Sequence, residues 1–167
     1  MKDSEIDAKL EALNTISYNN GGSFCFFRIE NEANALAEER IKSYLLTPDP
    51  RIGLDQRRLS RISQGLEKFL LEKIEDWKEE VKSALDHWLY FKNPYSPPLL
   101  DEEKLRHERI EFEDNFREFV AKNSLIRAYR ISEKFNSYDT PWGDQMNTDL
   151  VFEFDKRIYI FHMGWSS

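Results

Sequence analysis

A single cysteine, Cys25, excludes an internal disulfide. That usage fits a reducing compartment, with the cytoplasm as the expectation. Six glycines and six prolines in 167 residues are too few for a collagenous or linker-like chain. Apolar runs last only a few residues, far short of the ~20 that span a bilayer. Residues 1–13 are charged throughout and hold no apolar stretch, so they do not read as a secretory signal. A basic excess is missing too. The formal net charge is −7, which argues against nucleic acid as a partner, because a duplex-binding surface needs a basic field to neutralise phosphates. An acidic balance suits docking on a basic protein.

Aromatic residues make up 14% of the chain and charged residues 33%. Disordered chains lack aromatics, so this composition predicts a folded protein, one domain over residues 1–167. A chain of this length buries about two thirds of its unfolded surface and needs no covalent staple.

The hydrophobic pattern predicts an α+β fold. Ile6, Leu10 and Leu13 mark a helix over 4–15 with Ser4 as its cap. Asn19-Asn20-Gly21-Gly22 reads as a turn closing a hairpin between 15–18 and 23–29. A helix from Asn31 to about Leu46 buries Ala33, Leu36, Ala37, Ile41 and Leu45, and Pro48 and Pro50 stop it. From 55 to 92 large side chains recur at steps of three and four, including Leu59, Ile62, Leu66, Phe69, Leu70, Ile74, Trp77, Val81, Leu85, Trp88 and Leu89. One helix of that length would exceed about 50 Å. Either it projects, burying its stripe in a second copy to give a homodimer, or it breaks near Gly65. Asp101 caps the next helix, to about Lys122, and the two form a helical hairpin over about 55–122. The last forty residues turn to strand character: 125–131, then 149–154 and 157–163 joined by Asp155-Lys156. With 23–29 this gives a small antiparallel sheet of about four strands, on which the long amphipathic helices pack.

Chemistry-bearing motifs are sparse. No Gly-rich phosphate loop and no Gly-x-Ser-x-Gly elbow occurs, and nothing calls for a cofactor. Cys25 sits among Phe24, Phe26 and Phe27 and reads as a small buried hydrophobe. His107 and Glu111 share a helical stripe with Glu103, Asp114 and Glu118, but without Glu-x-x-His or His-Glu-x-x-His the stripe reads as a solvated acidic face, not a metal site. A nuclease hairpin would need Glu-x-Lys where His162-Met163-Gly164 stands. Arg51, Arg57, Arg58 and Arg61 read as solvated charges at a helix start. His162 alternates with Ile158 and Ile160 and reads as a hydrogen-bonded sheet residue.

The segment from Phe154-Asp155-Lys156-Arg157 through Tyr159 to Met163-Gly164-Trp165 resembles the hairpin of the XisI-type excision-controlling proteins of cyanobacteria. The likeness stops there: that family's chain continues past its Gly-Trp, and the long helices here have no counterpart in it, so no membership follows.

Two functional readings result. The first is a small acidic protein-binding module, in concrete form a bacterial immunity-type inhibitor of a basic toxin. Its contacts would be Asp139, Trp142, Asp144 and Asp149, because an aromatic anchor among carboxylates suits capture of a basic partner. The alternative is a small-molecule-binding domain or enzyme with a pocket between sheet and helices, lined by Trp77, Tyr129, Phe152 and His162. The lack of catalytic motifs leans against an enzyme.

Overall fold

The computed structural model describes residues 3–16, 22–30, 35–47, 56–90, 101–135 and 146–165. Among them the chain order is α1 (Asp3–Ile16), β1 (Gly22–Glu30), α2 (Ala37–Leu46), α3 (Gln56–Gly65), β2 (Leu71–Lys73), α4 (Trp77–Leu89), α5 (Glu102–Lys122), β3 (Arg127–Ile131), β4 (Met146–Glu153) and β5 (Arg157–Trp165). The fold is α+β, and the strands form one antiparallel sheet in the order β1-β5-β4-β3-β2.

Strand alternation divides the core in two. Phe24, Phe26, Ala128, Leu150, Phe152, Tyr159, Phe161 and Met163 face one side, where Ile6, Leu10 and Leu13 of α1, Val81, Leu85 and Trp88 of α4, and Phe112, Phe116 and Phe119 of α5 cover them. Ile29, Ile131, Val151, Ile158 and Ile160 face the other side, under Ala37, Ile41 and Leu45 of α2 and Ile62 of α3. The sheet is therefore the middle of three layers, with β5 buried along nearly its whole length and β4 buried from Asp149 to Phe152.

The 55–92 element is not one helix. α3 ends at Gly65, a short 3-10 turn follows at Leu66–Lys68, and β2 intervenes before α4 begins. The reason is tertiary. Leu71–Lys73 pairs with Tyr129–Ile131 at the sheet edge. Ser132 N–H donates to Leu70 O at 2.9 Å, and Ile74 N–H to Ala128 O at 3.0 Å. Asp76 then restarts the helix by accepting from the Glu79 N–H at 3.2 Å. The apolar stripe is thereby split: Ile62 and Phe69 go to one face of the sheet, while Val81, Leu85 and Trp88 go to the other. The helical hairpin is α4–α5 alone. Trp77 meets Phe116 at 6.1 Å and Asp86 meets Arg109 at 2.9 Å, so the two run antiparallel. The projecting helix that motivated a homodimer does not form.

Other boundaries also move. Ser4 lies inside α1, whose helix extends through Ile16, so Thr15-Ile16 is not a strand. α2 begins at Ala37, after an extended Leu36 that is 67% exposed. Asp101 caps α5 as the sequence predicts, accepting from the Lys104 N–H at 2.8 Å. No helix among the described residues is long and apolar enough to cross a membrane.

Candidate functional site

β4 outruns β3. The last β3–β4 pair is Arg130 with Leu150, whereas β4 pairs with β5 all the way from Met146. Among the described residues, Met146–Asp149 therefore has a strand neighbour on one flank and a notch on the other. That notch is a polar cavity of about 510 Å³, walled by Asn147 and Asp149 of β4, Arg130 at the end of β3, Glu133 and Phe135 of the following turn, and His87 at the end of α4. Trp88 Nε1–H donates to Thr148 Oγ1 at 2.9 Å and ties α4 to the notch. Arg130, in the cavity wall, forms an ion pair with Glu80.

Asp149 lies directly opposite His162, and the two are 2% and 0% exposed. His162 Nδ1 and Asp149 Oδ1 are 2.6 Å apart, and Asn147 Nδ2–H donates to Asp149 Oδ2 at 2.5 Å. In that pair the imidazole Nδ1–H donates and the carboxylate oxygen accepts. Both Asp149 oxygens are thus satisfied, which offsets the cost of burying the charge. His162 also lies directly opposite Cys25 on β1. Thiol, imidazole and carboxylate therefore form a row across three adjacent strands. Cys25, read from the sequence as a small buried hydrophobe, is partly buried and packs against the α2-side core.

Of the residues predicted to contact a partner, Asp139, Trp142 and Asp144 lie outside the described residues, and Asp149 is in the cavity wall. The four predicted to line one pocket do not converge. The Trp77 and Phe152 rings pack edge to face at 5.9 Å in the helical-hairpin core, while Tyr129 and His162 are on the opposite face of the sheet. The space between sheet and hairpin is filled by aromatic side chains, with Phe116 against both Phe152 and Phe161. Tyr129 O–H donates to Glu153 Oε2 at 3.0 Å, and burial, then that carboxylate, raises its pKa above the usual tyrosine value. On α5, Glu111 pairs with Lys9 at 2.5 Å, which lowers its pKa. No three His, Cys, Asp or Glu side chains among the described residues are grouped to hold a metal ion.

Sequence reading missed Asn147, Arg130 and His87 as cavity residues, and it set Cys25, His162 and Asp149 in three different readings. One signal was available. A two-residue connection at Asp155-Lys156 sets Phe154 opposite Arg157, and counting back five positions sets Asp149 opposite His162.

No protein-family model, curated protein or solved structure matches this chain. Function is argued from the site, since a fold alone does not carry one.

Proposed function

We propose that this chain is a small acidic protein-binding module that captures a basic partner at the cavity beside β4. A bacterial immunity-type inhibitor of a basic toxin is its concrete form. One observation carries the reading. Phe135 and Met146, which flank the segment bearing Asp139, Trp142 and Asp144, both stand in the wall of the cavity that contains Asp149. A lysine or arginine entering the notch would meet the polar side chains of Asn147 and Asp149 that line it, and Trp142 is the proposed apolar anchor. The net charge of −7 supports fast, steered association with a cationic surface.

The test begins with capture of a partner by the full-length chain, followed by calorimetry with the purified partner. Trp142→Ala and Asp144→Ala should each weaken Kd by about tenfold or more, and association should slow as salt rises. Unchanged affinity in both variants would remove the assignment. A second reading, a small-molecule-binding domain or enzyme, is favoured by the cavity size, which falls within the ~300–1,000 Å³ typical of ligand sites. A thermal shift produced by a small polar compound, and abolished by Asn147→Leu, would support it over the first.

A further inference from the structure

A second cavity, of about 620 Å³, is lined by Glu67 and Lys68 of the 3-10 turn, by Phe69 and Leu70 just after it, and by Ser132 and Lys134 just after β3. Its size falls within the ~300–1,000 Å³ typical of ligand sites. Of these residues only Ser132 also lines the cavity beside β4, so this site does not rest on the partner reading. The pairing of β2 with β3 builds it. Ser132 N–H donates to Leu70 O at 2.9 Å, which draws Lys68, just before that leucine, and Lys134, just after that serine, to one opening. Lys9, Lys42, Lys73, Lys82 and Lys122 each have a carboxylate partner. Lys68 and Lys134 have none among the described residues. Ser132 is 3% exposed, and its Oγ accepts from the Lys134 N–H at 3.3 Å. No acceptor for its own O–H stands among the described residues. A buried donor in a cavity wall without an acceptor calls for one from whatever fills the cavity.

We propose that this cavity binds a medium-chain fatty acid, as the free monomeric carboxylate. Its head would accept from the ammonium groups of Lys68 and Lys134 and from the Ser132 hydroxyl, all donors without acceptors of their own. Its hydrocarbon chain would lie along Leu70, whose side chain is exposed, and along Phe69 and the lysine methylenes. Charge complementarity decides the class. Two cations against the one carboxylate of Glu67 leave a local positive excess on a chain of net charge −7. A neutral hydrocarbon would leave all three donors unmet. A small inorganic anion would make no use of Leu70 and Phe69.

Octanoate, kept below its micelle-forming concentration, serves as the probe in calorimetry on the full chain at about pH 7, where the acid is ionised. It should bind one to one. Its affinity should exceed by about tenfold or more that of 1-octanol, which lacks the charge, and that of acetate, which lacks the chain. Lys68→Gln and Lys134→Gln should each weaken octanoate about fivefold or more, and Ser132→Ala should weaken it too. Leu70→Ser should cost about threefold or more through lost apolar contact. Glu67→Gln should tighten binding by removing the opposing charge. Lys104→Gln on α5, outside the cavity lining, should leave it unchanged. No saturable heat with millimolar octanoate overturns the proposal, and so does equal affinity for octanoate and 1-octanol. Both results are read on the parent chain and do not depend on how any variant folds. A Lys68→Gln/Lys134→Gln double variant that is folded by circular dichroism and keeps the parent affinity overturns it as well. A loss at Lys104→Gln as large as that at Lys68→Gln would mark unspecific attraction to surface charge and overturn it equally.

Discussion

Asp149 shows how much one side chain's surroundings decide. A carboxylate at 2% exposure is tolerated because His162 and Asn147 each donate to it. Removing one partner leaves an undercompensated buried charge. His162→Ala should therefore cost about 3–5 kcal/mol in urea unfolding, and a loss below about 1 kcal/mol would mean that the pair is not held as described. Tyr129 gives a pH signature. Its folded pKa is raised, by burial first and by Glu153 second, so the folded state keeps the phenolic proton at a pH where the unfolded chain has lost it. That stabilisation is complete below the unfolded value of about 10 and is lost as pH rises from there through the folded value. Tyr129→Phe should show a shallower decline of stability above pH 10 than the parent. Ser124, just past α5, has φ 55°, a left-handed conformation that suits glycine. Ser124→Gly should leave the protein as stable or raise stability by up to about 1 kcal/mol.

Elements were legible where local rules and tertiary pairing agree. α5 has its cap at Asp101, and the β4–β5 hairpin has its tight connection and alternating faces. The sequence was misleading at 55–92, where apolar residues keep helical spacing through a stretch that is partly strand. Leu71–Lys73 carries no strong strand signal. It pairs because β3 presents a free edge, a non-local fact that no window of neighbouring residues contains. The same holds for the site. Asp149 opposite His162 follows from counting around a tight turn, but Cys25 opposite His162 depends on how distant β1 meets β5. Gly65 sharpens the point. Its φ of −75° and ψ of −22° are helical, and an added Cβ would sit 3.7 Å from the Phe135 ring, ordinary contact. The break there is set by the pairing of β2 and not by a conformation only glycine allows. Gly65→Ala should thus stabilise the protein by about 0.4–1 kcal/mol, measured by thermal melting.

At the scale of the whole molecule, the sheet separates two cores that must both form. On the α1–α4–α5 side, Phe116 is the junction, with rings of Phe26, Trp77, Phe112, Phe119, Phe152 and Phe161 around it. The stripe that looked continuous in sequence supplies both sides of the sheet, and one of its members, Leu70, is 52% exposed while Leu85 is wholly buried. A single amphipathic helix, or a dimer closed over its stripe, would shield both leucines. Substituting each therefore distinguishes the architectures. Leu85→Ala should cost about 2–5 kcal/mol through lost burial and the cavity left behind. Leu70→Ser should change stability by no more than about 0.5 kcal/mol, as expected of a surface side chain. Urea unfolding of the two variants at several protein concentrations checks the contrast. A large loss at Leu70, or a midpoint that climbs with concentration, would mean that the 55–92 stripe is covered by something other than this sheet, because only association makes apparent stability depend on the amount of protein present.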